Sequence, residues 1–217
     1  MSLYGRFFAA AYDRVFFGAV ERAGLADMRA GLLTGVRGRT LELGAGTGLN
    51  LRHYPADAIT LVLTEPEEPM ARRLERRVRD VRPEASVVRA PAERLPFADG
   101  SIDTVVSTLV LCTVPDQQAA LREIRRVLSP DGTLLFLEHV RSEDPKVTRR
   151  QDRLQPLWVH LGHGCHCNRD TLASIRRAGF EVDVQHGQLP KAPAIVRPLI
   201  IGRARTGPPP AQAAGTA

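Results

Sequence analysis

The segment Leu41-Glu42-Leu43-Gly44-Ala45-Gly46-Thr47-Gly48-Leu49-Asn50 combines residue types that suggest a ligand loop. An apolar run passes into three glycines at alternate positions. Glycines in such a turn let the backbone bend tightly and approach a ligand, with amides pointing at it. A dinucleotide site would require Gly-x-Gly-x-x-Gly, but its third glycine position holds Leu49. Glu42, two residues before the turn, would repel a pyrophosphate. The same carboxylate suits a ligand bearing an ammonium and a sulfonium, and S-adenosylmethionine has both. Glu65 follows Gly44 by 21 residues, at the end of a second apolar run, where a carboxylate accepts ribose hydroxyls. The expected cofactor contacts are therefore Glu42, Gly44, Ala45, Gly46, Thr47, Gly48, Asn50, Glu65 and the adjoining Pro66.

A second concentration is His160-Leu-Gly-His163-Gly-Cys165-His166-Cys167, with three of the six histidines and two of the three cysteines. These ligand types suit zinc or copper. The segment has no Cys-x-x-Cys pair, and no second cysteine pair elsewhere would close a structural site, so no metal is expected. A loop lining a substrate pocket is the functional reading, and incidental composition the plain one. Cysteines 112, 165 and 167 also keep open an acceptor such as trivalent arsenic. Cys112 itself reads first as packing at a buried strand end.

Strands alternating with helices must position these groups, which argues for a mostly parallel sheet with helices on both faces. Helical periodicity runs from about Leu3 to Val36, with breaks near Gly18 and Gly24. Strands are expected at Arg39–Leu43, Ile59–Thr64, Ser86–Arg89, Ile102–Leu111, Thr133–Val140, Glu181–Gln185 and Ile195–Arg203. Helices are expected at Pro66–Val81, at Gln117–Leu128 capped by Asp116, and from Asn168 or Asp170 to Ala178. Ser129-Pro130-Asp131-Gly132 reads as a turn, and the pattern loosens from Arg141 to Cys167. The organisation expected is an N-terminal helical cap over 1–36, a ligand-binding domain over 37–205 and a disordered tail over 206–217.

Composition narrows the function classes. Three cysteines exclude a disulfide framework, and no apolar run approaches the roughly 18 residues that span a bilayer. No cleavage site follows a basic start, so a cytoplasmic location is expected. The net charge of +6 suggests nucleic acid, but the basic run from Arg72 to Arg79 has helical spacing and no interleaved aromatic. A solvated helix face explains it, and no nucleic-acid partner is expected. Six of the eleven aromatics fall in the first seventeen residues, Tyr4, Phe8 and Tyr12 among them. They read as packing, or as a cap over an apolar pocket.

The glycine loop and Glu65, with Ala90-Pro91-Ala92-Glu93-Arg94-Leu95-Pro96-Phe97, Ser101-Ile102-Asp103-Thr104-Val105-Val106 and Ile124-Arg125-Arg126-Val127-Leu128-Ser129-Pro130-Asp131-Gly132-Thr133, resemble class I S-adenosylmethionine-dependent methyltransferases. The resemblance spans about Arg37 to Phe180. It implies the Rossmann-like α/β fold of that class, a seven-stranded mostly parallel sheet. It also implies adenine contacts from Ala92 and Glu93, with Pro91 standing where many members have aspartate. Ser107 and Thr108 would lie by the methionine portion.

A narrower resemblance runs through Asn50, Tyr54-Pro55, Leu109-Val110-Leu111-Cys112-Thr113-Val114, Glu138-His139-Val140, Pro156-Leu157-Trp158-Val159-His160-Leu161-Gly162 and Gly164-Cys165. These stretches are similar to the alkyl thiol S-methyltransferases. The chain departs from them at the N-terminus and at His163, Cys167 and Asn168. The resemblance implies that a small exogenous or secondary-metabolite thiol becomes a thioether. A thiol of ordinary pKa is only a few per cent ionised at neutral pH, so a nearby base or cation helps. His139, at the carboxyl end of the fifth strand, is the first choice, with a packing histidine as the alternative. Tyr12 and Asp13 could reach the pocket from the cap. Tyr4, Phe8, Cys112, Trp158, His160, His163 and Cys165 are the expected substrate contacts. The rival expectations are O- or C-methylation of an aromatic or quinone-like molecule, and a non-catalytic S-adenosylmethionine-binding regulator. Oligomeric state cannot be read from the chain.

Overall fold

The computed structural model describes residues 18–56, 59–189 and 191–207. The expected contacts Tyr4, Phe8, Tyr12 and Asp13, and the tail from 208, lie outside the described residues.

Seven strands form one sheet in the order β3-β2-β1-β4-β5-β7-β6. They are β1 (Gly38–Leu43), β2 (Ile59–Thr64), β3 (Ser86–Val88), β4 (Ile102–Thr108), β5 (Leu128–His139), β6 (Phe180–Gln188) and β7 (Pro198–Thr206). All neighbouring pairs are parallel except those of β7, which runs antiparallel to both β5 and β6. The order reverses beside β1, which lies between β2 and β4. That is the crevice where open α/β sheets bind ligands.

Helical turns at Gly18–Val20 and Glu21–Leu25 lead into α1 (Ala26–Leu33), with Gly24 breaking the run at φ 129°. Leu25, Leu32, Leu33 and Val36 are buried in the same cluster as Leu61, Leu135 and Leu137. The described half of 1–36 is therefore packed into the main core. Helix α2 (Glu68–Val81) buries Met70, Ala71, Leu74 and Val78 on one stripe. Arg72, Arg76 and Arg79 stay exposed, as expected of a solvated face. It starts two residues later than its periodicity suggests. Asp116 caps α3 (Gln117–Val127) by accepting the Ala119 amide at 2.9 Å, and Ala120, Leu121, Ile124 and Val127 face the sheet. Asp170, not Asn168, caps α5 (Thr171–Arg177) by accepting the Ala173 amide.

Strand β7 begins at Pro198 and not at Ile195, because Ala194–Val196 forms a helical turn, and three further elements differ from expectation, each for a local reason. Strand β5 begins at Leu128, and Ser129–Gly132 is a register shift against β4 between Ile102 and Thr104 rather than a gap between elements. Strand β4 stops at Thr108, because the amides of Val110, Leu111 and Cys112 turn onto the Glu138 carboxylate. The loosened stretch holds the longest helix described, α4 (Pro145–Leu161). Asp144 caps it by accepting the Lys146 amide at 2.8 Å. Its only buried residue is Gln151, whose amide lies 2.8 to 3.0 Å from the carbonyls of Val140, Cys167 and Ile195. Leu154, Leu157 and Leu161 face outward.

Candidate active site

At the carboxyl ends of β1, β4 and β5 lies a cavity of about 850 Å³. Gly44, Gly46, Glu65, Pro66, Ala92 and Glu93 line it, all of them expected cofactor contacts. Gly46 has φ +58°, and a Cβ there would have no protein atom nearer than 4.0 Å. Its backbone is thus bare toward the cavity, where a side chain would occupy ligand space. Glu65 accepts the amides of Gly46 and Glu67, each at 2.9 Å, which fixes its carboxylate at the rim. Burial raises its pKa, and the two amides oppose that. An acid beside a bare glycine turn has the chemistry to hold S-adenosylmethionine. Changing Glu65 to Ala should weaken S-adenosylmethionine binding by about 1.5–3 kcal/mol per lost charge-assisted bond. Calorimetry giving wild-type affinity would refute that role.

Gly48 serves packing instead. A Cβ there would lie 2.7 Å from Leu51 Cδ1 and 2.9 Å from Leu74 Cδ1. Ala45 and Thr47 are buried and do not line the cavity.

Another part of the cavity wall is built on Glu138. This fully buried carboxylate accepts the Ser107 hydroxyl at 2.7 Å and the amides of Val110, Leu111 and Cys112 at 3.0 to 3.1 Å. Those bonds hold the turn after β4, including Leu109 at φ 61°. Cys112 is thereby set beside His139, the next residue after Glu138. Cys165 reaches the same corner from the loop after α4. The backbones are tied together, because the His166 amide donates to the Cys112 carbonyl at 2.8 Å. The His139 Nδ1 lies 3.5 Å from Cys165 Sγ and 3.9 Å from Cys112 Sγ, and the two sulfurs are 4.0 Å apart. The Cys112 thiol, with His139 beside it, holds Cys165 below the usual thiol range against the cost of burial. Cys112 is held well above that range by its bond with Cys165 and by burial.

Of the expected substrate contacts that fall among the described residues, Cys112, Trp158, His160, His163 and Cys165 all line this cavity with His139. The histidine–cysteine segment does not converge on one point, however. His163 Nε2 pairs with Glu67 at 2.9 Å, His166 Nδ1 meets Gln155 Nε2 at 3.2 Å, and Cys167 Sγ faces Gln155 Oε1 at 3.7 Å.

Residues 41–136 match the methyltransferase domain family. The human thiol S-methyltransferase TMT1A is 38% identical over 169 residues, 76% of this chain and 69% of that protein. The chain belongs to the thiol S-methyltransferase family. Across a shorter stretch of 105 residues it is 37% identical to the ubiquinone/menaquinone biosynthesis C-methyltransferase UbiE of Shewanella oneidensis, 46% of this chain and 42% of that one. A S-adenosylmethionine-dependent methyltransferase of Thermotoga maritima shares the fold at TM-score 0.67 and 22% identity, over 93% of this chain and 97% of that one. This family member is an S-adenosylmethionine-dependent methyltransferase with a Rossmann-like fold. Among the described residues, no helix is long and apolar enough to cross a membrane.

In this thiol S-methyltransferase family member, four expected cofactor contacts lie behind the cavity wall. Glu42 accepts Asn50 Nδ2 at 3.0 Å and the Tyr54 hydroxyl at 2.7 Å. Asn50 also donates to Thr108 Oγ1 at 2.9 Å and accepts from Arg29, which pairs with Glu21 at 3.0 Å. Ser107 is spent on Glu138. Glu42, Asn50, Ser107 and Thr108 therefore brace the loops, and none of the four lines the cavity. Arg29 and Glu138 are the functional supports that the sequence did not single out by role. An acid inside the apolar run Thr133–Val140 was the available signal for Glu138.

Burial pushes the Glu42 carboxyl from 4.5 up to about 7, against its bond from Tyr54. The folded state then holds a proton that the unfolded state has released between pH 4.5 and about 7. The sign follows: stability falls as pH rises through that window. Relative to wild type, Glu42→Gln should gain on the order of 3 kcal/mol between pH 4.5 and 7.5. Urea unfolding at both pH values measures it. An equal difference at both would contradict the assignment.

Proposed function

We propose that this enzyme methylates the sulfur of a small, largely apolar thiol and releases a thioether. The observation that carries the reading is the Cys112–His139–Cys165 corner, which lines one mostly apolar cavity together with Gly44, Gly46 and Glu65. S-adenosylmethionine supplies, when bound, a sulfonium-linked methyl that an acceptor thiolate can take, leaving a neutral thioether. The chain's own residues have two tasks. Gly44, Gly46 and Glu65 orient the donor, and orientation supplies much of the rate in such a transfer. The acceptor's S–H bond breaks beside His139, the one imidazole facing both sulfurs, and its proton passes to water. Apolar walls formed by Leu109, Val110, Val114 and Val196 exclude water from that sulfur.

Val20 lines the cavity, so residues 2–17, with Tyr4, Phe8, Tyr12 and Asp13, are the chain that precedes a lining residue. Deleting residues 2–17 should leave S-adenosylmethionine affinity within about threefold and lower turnover at least about tenfold, the scale of a lost closing element. Unchanged turnover would make the segment packing alone.

The second reading is C- or O-methylation of a quinone-like or aromatic molecule, which the partial likeness to a quinone C-methyltransferase favours. A panel of alkyl and aryl thiols beside matched phenols, followed by S-adenosylhomocysteine release, separates the two. Thiol turnover with weak phenol turnover is expected. Phenol turnover with none on any thiol would promote the second reading.

A further inference from the structure

We propose that Cys112, His139 and Cys165 form a binding site for a zinc ion, with its fourth coordination position open to the substrate cavity. The three side chains come from distant parts of the chain, 26 to 53 residues apart, and are all buried. Their ligand atoms form a triangle with sides of 3.5, 3.9 and 4.0 Å. The point equidistant from those atoms is about 2.2 Å from each, against about 2.3 Å for zinc–sulfur and about 2.0–2.1 Å for zinc–nitrogen bonds. The triangle already has the size of a three-ligand zinc face.

The surroundings hold that triangle. Glu138 pins the amide of Cys112, and the His166 amide joins the Cys112 carbonyl, so the two cysteine loops cannot separate independently. Gly164 lies between them at φ +83°, where a Cβ would meet the Thr113 carbonyl at 3.3 Å. Charge also balances: two thiolates and a neutral imidazole compensate a divalent cation in a buried place. The His139 Nε2 is buried and has no hydrogen-bond partner among the described residues, so the polar approaches of the ring are those of Nδ1 to the two sulfurs. Neighbouring cysteine and histidine side chains are directed elsewhere, Cys167 to Gln155 and His163 to Glu67. The set that converges is thus three ligands, two sulfur and one nitrogen. Closed structural zinc sites take four protein ligands, whereas three with an open position is the arrangement of reactive sites.

All three residues line the cavity, so the open position faces the acceptor. This last step rests on the thiol reading. The acceptor's S–H bond breaks, its proton passes to water, and a sulfur lone pair takes the fourth position on zinc. No oxidation is involved.

Cobalt(II) is the spectroscopic stand-in for the test. The full chain, reduced and stripped with a chelator, is titrated with cobalt(II) and followed by absorbance. One equivalent is expected to give a thiolate-to-cobalt charge-transfer band with the visible bands of a four-coordinate ion, and zinc should bleach both. Cys165→Ser and Cys112→Ser should weaken binding by more than about 100-fold, beyond the cost of losing an outer-sphere partner. Cys167→Ser should leave the spectrum unchanged. An added alkyl thiol should intensify the charge-transfer band as a third sulfur binds. Absence of the band from reduced wild-type protein, or its survival in Cys165→Ser, overturns the site. A stripped enzyme that forms no cobalt band yet methylates thiols at full rate also overturns it, while leaving the thiol reading intact. A cobalt band indifferent to thiols, in a chain that methylates none when zinc is present, keeps the metal site and removes the acceptor reading.

Discussion

Replacing Glu138 by alanine is expected to cost roughly 4 kcal/mol or more of stability, since it strips four buried donors of their acceptor at about 1–3 kcal/mol each. The donors are the Ser107 hydroxyl and the amides of Val110, Leu111 and Cys112. Burial raises the pKa of this carboxyl, so removing it also relieves a desolvation cost, which partly offsets the loss. The loss is a large share of a typical domain's stability of about 5–15 kcal/mol. Leu109 adds to it, because its positive φ is tolerated only while the turn is held. Glu138→Gln, which keeps one acceptor oxygen, should lose less than Glu138→Ala. Urea unfolding monitored by circular dichroism measures both. A shift under about 0.5 kcal/mol in the alanine variant, the range of ordinary surface changes, would mean that the turn does not depend on Glu138.

Such a support illustrates what the chain did and did not disclose. Strand β2 was legible to the residue, because Ile59–Thr64 is apolar and bounded on both sides. Helices α2 and α3 were legible from one apolar stripe each. Helix α4 was not, since the residue it buries is Gln151 and its leucines face outward. Asp144-Pro145 was its one readable sign, a cap followed by proline at the first turn. The end of β4 was overrun because Leu109–Leu111 continues the apolar run, and only a carboxylate from another strand turns it.

The candidate site divides in the same way. That Gly44, Gly46 and Glu65 line the cavity was legible from spacing, because a strand end and a turn suffice to place them there. Glu42 was legible as important but not in direction. It lies between the buried leucines Leu41 and Leu43 and points to Asn50 and Tyr54, away from the cavity. His160, His163 and Cys165 line the cavity as expected, but proximity along the chain does not disclose that the spatial partners of Cys165 are Cys112 and His139. Sequence spacing cannot report a contact between two strand ends and a later loop.

His139→Ala is expected to lower thiol methylation by about 10²-fold or more at neutral pH, the usual scale of losing a group that promotes ionisation of the reacting atom. The loss should shrink as pH rises past the acceptor's own pKa, because the thiolate then forms without assistance. Rates measured across that range on one acceptor, with S-adenosylmethionine saturating, check the shape. An equal loss at every pH would assign His139 to positioning alone.

The central claim is the identity of the atom that receives the methyl group, and a single acceptor bearing both candidates tests it most directly. A mercaptophenol presents a thiol and a phenol in one molecule, so binding differences between separate substrates drop out. Mass spectrometry of the product formed with methyl-labelled S-adenosylmethionine is expected to show the label on sulfur, as the aryl thioether with its phenol free. Label found on oxygen or on a ring carbon, with the thiol intact, would contradict the account.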